Sequence, residues 1–113
     1  MKSKAIILLI KDTQFELSNL VSTSSNYAFT KKPISDFKKV LDLLMFEIVN
    51  NPNKVNNRVL RAIHDVGTIT VKEFEDTKFE TSLFRLIEVI SNEIPEYRNL
   101  EPLRMDFDLG EPI

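Results

Sequence analysis

"KVNNRVLRAIHDVGTITVKEFE", residues 54–75, is the stretch on which the fold turns. Its second half, GTITVKEF, is rich in β-branched residues and reads as a strand by composition. Periodicity argues the other way. At 100° per residue, Asn57, Arg58, Arg61, His64, Asp65, Thr68, Lys72 and Glu75 gather on one arc. The opposite arc collects Val55, Val59, Ala62, Ile63, Val66, Ile69, Val71 and Phe74, and only Asn56 and Glu73 depart from the pattern. One phase held across Gly67 favours a single long helix over two elements. Gly67 then lies on the apolar side, where a missing side chain lets another helix approach, at about 1 kcal/mol of propensity relative to alanine.

Working outward, Phe37, Val40, Leu41, Leu44 and Ile48 form one stripe, with Pro33 just ahead and Ser35 or Asp36 as caps. Asn50, Asn51 and Pro52 end that helix. Leu43 and Phe46 lie opposite the stripe. A helix apolar on two sides is expected at the centre of its domain, and the rival is that Phe46 meets a partner. Thr77-Lys78-Phe79-Glu80 has capping-box spacing and opens a helix with Phe79, Leu83, Leu86, Ile87, Ile90 and Ile94 on one face. Pro95 ends it. Residues 3–22 read as one helix, with Ile6, Leu9, Ile10, Leu17, Leu20 and Val21 on a face. A second capping-box spacing, Thr13-Gln14-Phe15-Glu16, offers the alternative of a strand at 4–11 and a short helix. STSSNYAFTKKP, residues 22–33, reads as a loop. At the far end Met105, Phe107 and Leu109 alternate with Asp106 and Asp108, the pattern of an extended tail docked by one edge.

The expectation is therefore an all-α domain over residues 1–113, about four helices packed as a small bundle with a docked C-terminal tail. The rival is α+β, with strands near 4–11, 68–74 and 104–109. A chain of 113 residues with 42% apolar and 28% charged composition has the balance of one globular domain. Two glycines are few for a sandwich or barrel.

With no cysteine and a single histidine, His64, metal sites of the usual donor sets are not expected. Two glycines cannot make a phosphate-binding glycine motif, so no cofactor is expected either. The serines cluster in Ser18–Ser25, away from any visible base. The longest apolar run, Ala5–Ile10, is too short for a membrane span and short for a signal peptide, and a cytoplasmic protein is expected.

Charge is unevenly spread. From Glu73 onward there are four basic residues against eleven acidic. That argues against nucleic acid as partner, since phosphates require a basic face, and suits a basic protein. Solubility alone is the competing explanation.

The stretches LRAIHDVGTITVKEFEDT and IPEYRNLEPLRMDFDLGEPI, roughly the C-terminal half, resemble small bacterial immunity proteins of polymorphic toxin systems, including contact-dependent growth inhibition. The resemblance implies a non-catalytic protein that covers the active or substrate-binding surface of a cognate toxin. Many such toxins are nucleases with basic clefts. The expected contact residues are Glu96, Tyr97, Glu101, Asp106, Asp108 and Glu111, with Glu75, Asp76 and Glu80 beside them, and Phe46 or Tyr97 as an aromatic anchor. The alternatives are an adaptor or oligomer using Leu43 and Phe46, and an enzyme using carboxylates such as Asp106 and Asp108.

Overall fold

The computed structural model describes residues 3–23 and 27–98, with side chains for 3–20 and 34–98. Four long helices and a final short turn follow in order: α1 (Ser3–Thr23), α2 (Tyr27–Asn50), α3 (Asn57–Glu73), α4 (Lys78–Glu93) and α5 (Pro95–Arg98). No strand occurs among the described residues. The all-α expectation holds, and the α+β rival fails at 4–11 and 68–74. Residues 104–109 lie outside the described part.

The helices alternate in direction. Gln14 Nε2 donates to Asp42 Oδ1 at 2.9 Å, and residues 17 and 18 face 34 and 38, so α1 and α2 run antiparallel. The α2–α3 connection meets the end of α4 around Glu93–Glu96. The most extensive packing is between α1 and α4.

Each helix contributes a stripe to one core. Ile6, Ile10 and Leu17 come from α1; Ile34, Phe37, Leu41, Leu44 and Ile48 from α2. Leu60, Ile63 and Val66 come from α3, and Phe79, Leu83, Leu86 and Ile90 from α4. Where the α3–α4 turn meets α2, Phe37 stacks on Phe79 at 5.8 Å between ring centroids, and Phe74 packs edge-on to both. Two buried threonines on these stripes are satisfied locally. Thr13 Oγ1 donates to the Leu9 carbonyl and Thr70 Oγ1 to the Val66 carbonyl, each at 2.7 Å. Thr13 therefore caps nothing, and α1 passes through it unbroken.

α3 runs through Gly67 as one helix. Asn56 departed from the apolar pattern because it is the cap: its side chain accepts from the Arg58 amide at 2.7 Å. Gly67 is buried against α4. A methyl group there would stand 3.1 Å from Ile87 Cδ1 and 3.6 Å from the Phe84 ring.

Four expectations need correction. α2 begins at Tyr27, so the loop expected over residues 22–33 is helical at 22–23 and 27–33. Pro33 removes one amide bond, to the Phe29 carbonyl near the helix start, and no glycine lies nearby to break the run. Next, α2 is not central. Among the described residues it has its closest backbone packing with α1 and α3, and Leu43 and Phe46 are 53% and 59% exposed. Asp65, placed on the polar arc of α3, is buried, and Val71, placed on the apolar arc, is half exposed. For Asp65 the reason is α5, which docks on α3 and covers part of the arc expected to face water.

Candidate functional site

Of the acidic residues singled out by the sequence, the described ones, Glu75, Asp76, Glu80 and Glu96, lie at the two ends of α4. At its start, the chain leaves α3 through Phe74 and Glu75, and Asp76 adopts a left-handed backbone, φ 63°. Aspartate is among the few non-glycine residues that accept that geometry readily. Thr77 then caps α4: its Oγ1 accepts from the Glu80 amide at 3.1 Å. The Glu80 carboxylate reaches back to the Asp76 amide at 2.9 Å, one residue before the position a standard capping box uses. Glu73, Glu75 and Asp76 are exposed around this turn, while Glu80 is half-buried and occupied in the cap.

At the other end, Ile94 is extended, φ −123° and ψ 93°, as expected ahead of Pro95. Glu93 and Glu96 stand on the rim of a shallow cleft of about 230 Å³ lined also by Pro52, Asn53, Val55, Ile94 and Pro95. The sixteen residues of α4 span about 24 Å at 1.5 Å each, so the two acidic groups sit that far apart. The described acids do not form one continuous face. Glu101, Asp106, Asp108 and Glu111 lie outside the described residues.

Tyr97 is corrected more sharply. It is only 9% exposed and belongs to the core, so it is not available as an aromatic anchor. Its ring lies against His64, 6.3 Å between centroids. Burial, with the Asp65 carboxylate adding a smaller effect, pushes its hydroxyl up to about 12. Both causes disfavour a phenolate, so the side chain works as a neutral peg that fixes α5 to α3.

Of one further surface the sequence reading named only Leu43 and Phe46. On α1, Lys4, Leu8, Lys11 and Phe15 recur at helical spacing, and all are exposed. On α2, Lys39, Leu43, Phe46 and Asn50 do the same. Leu8, Phe15, Phe46 and the neighbouring Val49 are each more than half exposed. The signal was present as a second periodic stripe on each helix, but assigning it to solvent required knowing which neighbours each helix has.

Among the described residues, no group of three acids or histidines stands close enough to hold a metal ion. No described helix is long and apolar enough to cross a membrane. No protein-family model, curated protein or solved structure matches this chain.

Proposed function

We propose that this chain acts by binding rather than by catalysis, as an immunity protein that neutralises a cognate basic toxin by covering its active or substrate-binding surface. The supporting observation is the placement of the acids. Glu73, Glu75, Asp76, Glu88 and Glu96 are exposed, and Glu80 and Glu93 are half-buried; none of the seven described acids from Glu73 onward is in the core. Only Lys78, Arg85 and Arg98 offset them over that span. A standard interface of about 800 Å² per side is roughly 28 Å across, enough to take in both ends of α4. Negative charge spread over such a width steers a basic partner into contact and stands in for substrate phosphate.

The toxin would be the product of the gene immediately upstream. Deleting this chain's gene should then be lethal only while that toxin is active. Reversing Glu75 and Asp76 to lysine, or Asp106 and Asp108 to lysine, should slow association several-fold at low salt and much less at high salt. Association rates that ignore both reversals at low salt would reject the acidic residues as the recognition surface.

A second reading is an adaptor or oligomer. It is favoured by the exposure of Leu43 and Phe46 on α2. It predicts a concentration-dependent mass in the absence of any toxin.

A further inference from the structure

Seven large apolar side chains are exposed among the described residues, and five of them stand on the α1–α2 hairpin: Leu8 and Phe15 on α1, and Leu43, Phe46 and Val49 on α2. Each of the five is more than half exposed. The Gln14–Asp42 hydrogen bond fixes the register of these antiparallel helices. One residue back along α1 for each residue forward along α2 brings Leu43, Phe46 and Val49 level with Thr13, Ile10 and Ile7. The five therefore share one stretch of hairpin about 12 Å long, on two helices whose axes lie about 8–10 Å apart. They point away from the core stripes of both helices. An apolar patch of this kind marks a surface that something covers.

We propose that the occupant is a second copy of this chain, the two hairpins packing face to face as a two-fold symmetric dimer. This rests on the oligomer reading above and gives it a surface and a partner. Area is the first argument. A fully exposed leucine, valine or phenylalanine offers about 150–200 Å², so five at these exposures present roughly 500 Å². A standard interface takes about 800 Å² from each side, of which about 450–520 Å² is apolar. One hairpin supplies that amount, and in a two-fold contact the same patch on the partner supplies it again. Charge is the second argument. Over residues 3–20 and 34–50, four lysines stand against five carboxylates, so two copies of this face bring no excess of like charge together. From Glu73 to Arg98 seven acids stand against three basic residues, and two copies of that region would repel. The same balance gives an anionic membrane no basic excess to bind. Shape is the third. An antiparallel helix pair packs on another at a shallow crossing of about 20°, ridges into grooves, as in a four-helix bundle.

Sedimentation equilibrium of the full-length chain over about 1–200 µM tests this. The average mass should rise toward twice that of the monomer and stop there. Phe46→Glu and Leu8→Glu lie on different helices, and each should weaken the association about tenfold or more with its far-UV spectrum unchanged. Val71→Glu, also at an exposed apolar position but on α3, should leave the association as it was. A concentration-dependent mass that survives both Phe46→Glu and Leu8→Glu, or that Val71→Glu weakens as much, overturns this face and keeps the oligomer reading. A mass that climbs past the dimer overturns the two-fold arrangement. A monomer at every concentration overturns both the face and the oligomer reading. If that monomer sediments with phosphatidylserine vesicles and Phe46→Glu abolishes it, the face belongs to a lipid surface instead.

Discussion

Replacing Gly67 tests the closest approach between α3 and α4. A Cβ at this position meets Ile87 Cδ1 at 3.1 Å and the Phe84 ring at 3.6 and 3.7 Å. Gly67→Ala gains about 1 kcal/mol of helix propensity. Against this stands one tight contact with the far end of a flexible, half-buried side chain, which relaxes by a few tenths of an ångström. The expected net change lies within about 1 kcal/mol, on the stabilising side. Gly67→Leu has no such escape. Its additional carbons enter space already held by Ile87 and Phe84, and overpacking of that kind costs about 1–3 kcal/mol. For a chain of this size, at about 4 °C per kcal/mol, Tm should fall by roughly 4–12 °C. Thermal denaturation followed by circular dichroism, with urea titration as a check, measures both variants. An unchanged or higher Tm for Gly67→Leu would show that α4 does not come close at this position. A loss above about 2 kcal/mol for Gly67→Ala would refute the argument from Ile87 mobility.

Thr77→Ala should cost about 1 kcal/mol, because the Glu80 amide loses its acceptor; Thr77→Ser should retain most of the stability, and urea midpoints separate the two. Tyr97 sets an alkaline limit. Its hydroxyl titrates near 10 when unfolded and is pushed up to about 12 when folded, so the native state holds the proton more tightly. Stability is then full below pH 10 and declines as pH rises from 10 to 12, and Tyr97→Phe should flatten that decline. Ultraviolet titration in a Tyr27→Phe background should place the Tyr97 phenolate near pH 12. Asp65→Asn should lower that value by less than exposing the ring would, since burial is the larger cause.

The helices were legible wherever a cap and an apolar stripe agreed. Thr77 and Glu80, and Pro95, each mark a boundary through local hydrogen bonding or sterics, which need no knowledge of the rest of the chain, whereas Asn56 stood only as a departure from the apolar pattern and not as the cap it is. Gly67 was legible for a related reason, since its phase within α3 places it on the packed side. What failed was the assignment of faces that depends on neighbours. Leu43 and Phe46 look buried by composition, but no described helix covers that side of α2. Asp65 looks exposed by wheel position, but a four-residue turn some thirty residues later lies over it. Tyr97 was misplaced by the same turn. Of the described acids expected on the surface, Glu75, Asp76 and Glu96 are exposed and Glu80 is half-buried, and their division between the two ends of α4 follows from where the caps fall. The start of α2 was hidden because proline is a boundary signal that a helix overrides when only one bond is lost.

The extensive seam between α1 and α4 has a temporal consequence. α1 leaves the ribosome before α2, α3 and α4, yet the helix with which it packs most extensively is synthesised some fifty-five residues later. Until then its apolar stripe is only partly sheltered by α2. The nascent chain therefore cannot complete this core before α4 has emerged.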